Sequence, residues 1–280
     1  MYKILKREEL NPTVTRFVVE APAVARKAEA GQFIILRVDE KGERIPLTIA
    51  DFDRAAGTVT VIAQVVGGTT EKLNHVPEGG YIADFVGPLG KPSELTGLKK
   101  VAVIGGGVGC AIALPTAKKL HALGAEVHSI IGFRNKDLVI LEEDFAACSD
   151  KLSVLTDDGS YGKKGLVTDE LRSLIESGEK YDEVIAIGPV IMMKFVCKLT
   201  KEFGVKTVVS MNPIMVDGTG MCGGCRLLVG GQTKFACVDG PEFDGHQVDF
   251  DSAMRSGGKF RPHEKENREK VCNLFKKEVR

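Results

Sequence analysis

Residues 103–115 read VIGGGVGCAIALP, a short apolar run followed at once by four glycines among five residues and then by an apolar stretch of helical spacing. The pattern predicts a strand that turns tightly into a helix. At such a turn Gly105, Gly106, Gly107, Val108 and Gly109 present backbone N–H groups and the positive end of a helix dipole, where a pyrophosphate is stabilised. The match to a dinucleotide fingerprint departs from the usual form at two places. Cys110 takes the position of the third glycine, and no acid ends the following strand, IIGFRN, to hold a ribose hydroxyl.

The surroundings of this turn alternate in the same rhythm. Val101–Ile104, Glu126–Gly132, Leu152–Leu155, Glu183–Ile187 and Lys206–Met211 read as apolar strands, and Ile112–Leu123, Thr168–Glu176 and Ile191–Phe203 as helices between them. Parallel strands need such crossovers, so residues 99–212 are expected to form a doubly wound α/β domain. Ligands bind at the carboxyl ends of the strands in these sheets. Asp157, Asp158, Gly159 and Ser160 after the third strand, and Gly188 and Pro189 after the fourth, therefore belong with the glycine turn as one candidate site.

Residues 1–98 follow a different period. Thr13–Glu20, Gln32–Val38 and Thr58–Val66 are β-branched runs punctuated by Gly, Asp and Pro, which suggests a small antiparallel β barrel. Within it RIPLTI, Arg44 to Ile49, is read as ending one strand, and GGTT, Gly67 to Thr70, as leading from another into a short helix. The second element repeats the anion-binding logic of a helix start, although from the residues alone a hairpin turn and a helix N-cap are the better reading of the two.

Residues 213–245 are rich in glycine and too poor in large apolar side chains to build a core of their own. They contain Asp217, Cys222, Cys225 and Cys237, spaced D-x4-C-x2-C-x11-C. A cysteine, four residues, a cysteine, two residues, a cysteine and a distant fourth is a 2Fe–2S pattern, here with an aspartate first. Zinc held by the three cysteines and His246 is the alternative from the residues alone. The remainder, residues 246–280, includes a charged helix expected over Glu264–Val279, with Val271, Leu274, Phe275 and Val279 as an apolar stripe able to dock on this chain or a partner.

The bulk figures bound these readings. A length of 280 residues exceeds what one core usually serves, which fits two domains and an appendage. Thirty-eight basic residues balance thirty-eight acidic ones, so no electrostatic footprint for nucleic acid is expected. The segment MYKILKREELNPTV lacks the features of a secretory signal, and the longest uncharged stretch, Val101 to Ala117, is interrupted by glycines and Pro115 and falls short of the about 20 residues of a membrane span. Four scattered cysteines, Cys110, Cys148, Cys197 and Cys272, argue against a disulfide framework. A cytoplasmic, reducing location is expected.

Taken together these motifs resemble, over nearly the whole chain, the ferredoxin-NADP reductase-like electron-transfer subunits, including that of dihydroorotate dehydrogenase. Within that family the aspartate at 217 is similar to the small subunits of NADH-dependent reduced ferredoxin:NADP+ oxidoreductases, also known as sulfide dehydrogenase subunits, whereas the dihydroorotate-type chains use four cysteines. The resemblance implies an FAD-binding barrel, an NAD(H)-binding α/β domain and a 2Fe–2S segment. It implies that Ile45, Pro46, Leu47 and Thr48 lie against the flavin ring, with the Thr48 hydroxyl near flavin N5. Ala63, Gln64, Val65, Gly67, Gly68, Thr69 and Thr70 would hold the rest of FAD, while Arg134, Gly188, Pro189 and Met192 would join the glycine turn around NADH. Two positions depart from the family. Ile45 stands where an arginine is frequent, with Arg44 just before it, and Ile187 replaces a cysteine ahead of the Gly-Pro pair. The implied partner is a larger subunit with its own FAD and 4Fe–4S clusters that handles NADP(H) and, through it, ferredoxin. The alternatives are the electron-transfer subunit of an NAD-dependent dihydroorotate dehydrogenase and a zinc-stabilised nucleotide-binding module.

Overall fold

The computed structural model describes residues 1–257 and 266–272. Its first part is an antiparallel, nearly closed barrel of β1 (Tyr2–Asn11), β2 (Val14–Glu20), β3 (Phe33–Arg37), β4 (Ile45–Asp53), β5 (Thr58–Gln64), β6 (Tyr81–Ile82) and β7 (Asp84–Leu89), in the order β6-β1-β2-β5-β4-β3-β7. Helices α1 (Pro22–Ala25) and α2 (Gly68–His75) lie in its connections. The alternation expected of a half-buried strand is clear in β2, where Phe17 and Val19 are fully buried and Arg16 and Val18 face outward. One strand lies outside the expected runs, and one expectation is corrected. The polar run of β1 forms a long strand because it pairs with β2 along most of its length. RIPLTI opens a strand instead of ending one, since β4 runs on to Asp53 while its first residues pair with β3, Thr48 opposite Phe33 and Pro46 opposite Ile35.

The second part is a sheet of β8 (Lys100–Gly106), β9 (Glu126–Phe133), β10 (Lys151–Thr156), β11 (Lys163–Lys164), β12 (Glu183–Ile187) and β13 (Thr207–Ser210), all parallel. Between them run α3 (Gly109–Ala122), α4 (Glu142–Ala146), α5 (Val167–Glu176) and α6 (Val190–Glu202). Val101, Ala102, Val103 and Ile104 of β8 and Val184, Ile185 and Ala186 of β12 are wholly inaccessible, as strands covered by helices on both faces must be. The third part adds the hairpin β14 (Arg226–Val229) and β15 (Gln232–Phe235), α7 (Ala236–Asp239), β16 (Glu242–Asp244) and α8 (Phe250–Gly257). β16 joins the large sheet antiparallel to β13, so that sheet reaches past residue 212 into the cysteine-bearing segment.

The parts share their interiors. Val14, Ala50 and Ile62 of the barrel belong to one core with Ala111, Leu114 and Ala117 of α3, and Phe33 and Ile35 to another with Met215, Leu227 and Ala236 of the third segment. Residues 213–245 thus complete their packing with side chains of the barrel and the large sheet. At the far terminus residues 266–272 are helical, and the apolar positions Leu274, Phe275 and Val279 lie outside the described residues. None of the seven cysteines forms a disulfide. No helix among the described residues is long and apolar enough to cross a membrane.

The seam between barrel and sheet contains a carboxyl whose state depends on pH. Glu242 of β16 accepts a hydrogen bond from Ser93 Oγ at 2.7 Å and faces Glu183 and Glu94. Scarcity of water around it, reinforced by those two acids, pushes its pKa from 4.5 up to about 7. The folded chain thus holds a proton that the unfolded chain releases, and stability falls as pH rises through that window. In Glu242→Gln, urea midpoints compared at intervals across pH 4.5 to 7 are expected to lose most of this decline; a slope equal to that of the native chain speaks against it.

Candidate functional site

In the sheet order β11-β10-β9-β8-β12-β13-β16 the chain reverses direction of travel between β8 and β12. Connections leave these two strands to opposite sides, and the crevice at their carboxyl ends is where such sheets take ligands. The glycine turn occupies it. Gly107 adopts a φ of +56°, a left-handed conformation that side chains resist, and its N–H donates to the Gly132 carbonyl at the end of β9 at 2.8 Å. Gly109 starts α3 so close to β12 that a Cβ there would lie 2.5 Å from the Ile187 carbonyl oxygen and 2.7 Å from Gly188 Cα. Gly106 sits against the Met192 thioether and the Pro189 ring. The predicted residues Gly105–Gly109, Gly188, Pro189 and Met192 are therefore brought together. Cys110 fits the third-glycine position because its small side chain turns inward against Gly105, and burial raises its thiol far above the range in which it would ionise.

The neighbouring strand ends extend the crevice. The amide of Asp157 donates to Phe133 O at 3.0 Å and that of Asp158 to Arg134 O at 3.3 Å, which joins the ends of β9 and β10. Asp158 is held below the usual carboxylate range by the hydroxyl and amide of Ser160, and Gly159 turns the chain at a φ of +77°. Nothing in the sequence marks Asn135, yet its Oδ1 is buried beside Arg134 with no hydrogen-bond partner. It supplies an acceptor at the strand end that lacks an acid.

In the barrel, Ile45, Pro46, Leu47 and Thr48 are all half-buried at the start of β4. Ala63 and Gln64 end β5 and Val65 follows, its amide bonded to Thr13 O at 2.8 Å. The Thr70 hydroxyl accepts the amides of Val66 and Gly67 at 2.9 and 3.0 Å, so it caps α2 and is already committed locally. The amides of Gly68, Thr69 and Thr70, which a helix start leaves without intrahelical partners, remain the anion-facing groups of this segment. Helical residues 266–272 lie over the same end, with Val271 and Asn267 against Gly68 and Arg268 Nε 3.2 Å from Glu71 Oε2.

In the third segment the four predicted ligands form two pairs. Cys225 and Cys237 are buried with their sulfurs 3.2 Å apart. Asp217 accepts the Cys222 amide on Oδ2 at 2.9 Å, and this bond together with those from Thr219 and the Cys222 thiol holds its carboxyl well below the usual range. No three of the four donor atoms lie within 4.8 Å of one another. A single tetrahedral zinc, with bonds of about 2.3 Å to sulfur, would bring all of them to about 3.8 Å. His246, the fourth ligand in that alternative, instead bonds Thr200 Oγ1 through Nε2 at 3.0 Å. A donor set of one carboxylate and three thiols in two pairs fits a two-iron cluster. Backbone amides already point at the sulfurs, Gly224 to Cys222 and Cys237 to Cys225, both at 3.5 Å. Burial and the adjacent Cys225 push the Cys237 thiol up to about 12.

This loop rests on the barrel. Gly218 packs against Leu89 of β7 and Ile35 of β3, the residue paired with Pro46. Arg44 donates from Nε to the Val216 carbonyl at 2.9 Å, so this arginine ties the loop to the start of β4.

Comparison with known proteins follows the same lines. Residues 212–249 match the iron-sulfur cluster binding domain of dihydroorotate dehydrogenase B. The electron transfer subunit homolog of dihydroorotate dehydrogenase B (NAD(+)) from Thermotoga maritima is 48% identical over 263 residues, covering 94% of this chain and 93% of the relative. The electron transfer subunit from Streptococcus mutans is 33% identical over 257 residues, covering 89% and 97%. The chain belongs to this family of electron-transfer subunits. Among solved structures, a chain of the NADH-dependent reduced ferredoxin-NADP oxidoreductase, studied for flavin-based electron bifurcation, superposes on this family member with a TM-score of 0.92 at 46% identity, covering 97% of this chain and 98% of the other.

The glycine turn yields a direct prediction for this electron-transfer subunit. Gly107 has open space around its Cα, so Gly107→Glu adds a negative charge at the α3 start without a clash. Allowing for left-handed strain of about 1 kcal/mol, the protein is expected to fold and keep its iron and flavin. Its Kd for NADH, measured by titration of the flavin absorbance, should rise at least tenfold; an unchanged Kd shows that the nucleotide lies elsewhere.

Proposed function

We propose that the chain is the FAD- and 2Fe–2S-bearing, NAD(H)-linked small subunit of an NADH-dependent ferredoxin:NADP+ oxidoreductase of the electron-bifurcating type. The observation that carries this reading is the seating of the Asp217 loop on the barrel, through Gly218 on Ile35 and Arg44 on Val216, beside the start of β4. A flavin on Ile45–Thr48 and a cluster in that loop would be neighbours, as single-electron exchange requires.

When bound, the flavin and the cluster supply the conversion between a hydride pair and single electrons. The chain's own residues position the reactants. The amides of Gly105–Gly109 and the α3 dipole take the nucleotide pyrophosphate, with Pro189 and Met192 closing the crevice. Asn135, Arg134 and the Asp157–Gly159 turn face the outer part of the nucleotide. Thr48 offers its hydroxyl at the flavin edge, and the amides of Gly68–Thr70 take a flavin phosphate. Asp217, Cys222, Cys225 and Cys237 hold the two irons, and the exposed Cys222 marks the side from which electrons pass to a larger subunit with FAD and 4Fe–4S clusters. That partner would handle NADP(H) and ferredoxin in the cytoplasm.

The second reading, the electron-transfer subunit of an NAD-dependent dihydroorotate dehydrogenase, is favoured by the names of several relatives. Asp217 weighs against it, because the resemblance implies four cysteine ligands in the dihydroorotate-type subunits. Anaerobic purification from the native organism is expected to yield this chain with a larger flavin and iron-sulfur subunit, flavin, iron and sulfide, and visible bands that NADH bleaches. Copurification with a dihydroorotate-oxidising chain selects the second reading. Cys225→Ser and Cys237→Ser should each lose the iron signal in EPR while flavin fluorescence after denaturation remains at the native level; retention of full iron in both removes the ligand assignment.

A further inference from the structure

We propose that Thr219 is a positioning residue that fixes which oxygen of Asp217 faces the cluster and tunes the potential of the bound irons; this rests on Asp217 being an iron ligand, as proposed above. The two carboxylate oxygens are not equivalent. Oδ1 receives two donors from Thr219, the backbone amide at 2.8 Å and the side-chain hydroxyl, while Oδ2 receives the amide of Cys222 at 2.9 Å. Two donors on Oδ1 from one residue lock the carboxylate rotation and turn Oδ2 toward the cysteine with which Asp217 is paired.

The loop is built to hold this arrangement. Gly218, between Asp217 and Thr219, bends the backbone at a φ of +79° and is buried against Leu89 and Ile35, so residues 217 and 219 are held on the same outer side of a fixed turn. Arg44 clamps the preceding carbonyl of Val216. The backbone bond from Thr219 would survive any side chain at 219. The hydroxyl bond is the replaceable part, and it is the part specific to threonine or serine.

Hydrogen bonds to the partners of a metal ligand alter that ligand's basicity and its orientation. A hydroxyl donating to the non-ligating oxygen withdraws electron density from the carboxylate, which makes Asp217 a weaker donor and stabilises the reduced cluster. Removing the hydroxyl makes the carboxylate a stronger donor and favours the oxidised state. The cluster potential is therefore expected to move in the negative direction.

The test uses the full-length chain, purified anaerobically with its cluster and free of other iron-sulfur chains, as native protein, Thr219→Val, Thr219→Ser and Asp217→Cys, and as Asp217→Cys combined with Thr219→Val. Iron and sulfide contents, the EPR g values of the reduced cluster and midpoint potentials from EPR-monitored titration are compared. Thr219→Val should keep its iron, shift its midpoint negative and change its g values, while Thr219→Ser matches the native chain. In the Asp217→Cys background the valine should cause no further shift. Native g values and potential in Thr219→Val overturn the proposal, as does a valine shift that persists in full without the carboxylate. If the valine variant loses iron and the serine variant keeps it, the hydroxyl role stands; loss from both shows that packing alone is at stake and overturns it. An Asp217→Cys chain with native g values and potential instead removes the ligand reading itself.

Discussion

The constraint on which the rest depends is that the cysteine-bearing loop has no interior of its own. Met215, Leu227 and Ala236 are buried only because Phe33 and Ile35 of the barrel and the helices of the large sheet complete their surroundings. Cys225 and Cys237 are drawn into that common core, with their sulfurs 3.2 Å apart. At one end the loop is pinned by Arg44 and Gly218, and at the other β16 is stitched to β13. The place of any cluster relative to the barrel is thus set by packing, without a hinge.

A second rigid element links the other two ligand regions. Helix α3 begins at the glycine turn and lies along β4, with Lys118 Nζ 2.7 Å from Asp51 Oδ2 and Ala111 and Leu114 in one core with Ala50. The helix whose start is proposed to face a nucleotide therefore packs on the strand whose first residues are proposed to meet a flavin. Association of such parts needs only modest energies when the elements are stiff, because orientation is fixed before any ligand enters. The proposed nucleotide crevice is thus joined to β4 through α3, and the start of β4 to the cysteine loop through Arg44.

The order of ionisable groups follows the same division. Carboxylates that face solvent, such as Asp158 and Asp217, are lowered by hydroxyl and amide donors. Groups in the shared interiors, such as Glu242 and the thiols of Cys110, Cys197 and Cys237, are raised by loss of water.

The sequence by itself determined the period of each part, the glycine turn and the D-x4-C-x2-C-x11-C spacing, because these are local: a strand-to-helix turn needs small residues wherever it occurs, and ligand spacing is written along the chain. β1 carries no local strand signal, since its pairing with β2 overrides weak local preference, and Arg44 to Ile49 opens β4 where its first residues pair with β3. Only the tertiary structure decided that Thr70 caps a helix, that His246 belongs to Thr200, that Arg44 clasps Val216 and that Asn135 Oδ1 is left without a partner. Each of these is a contact or a burial between residues whose meeting depends on how whole elements pack, and no stretch of sequence encodes that on its own.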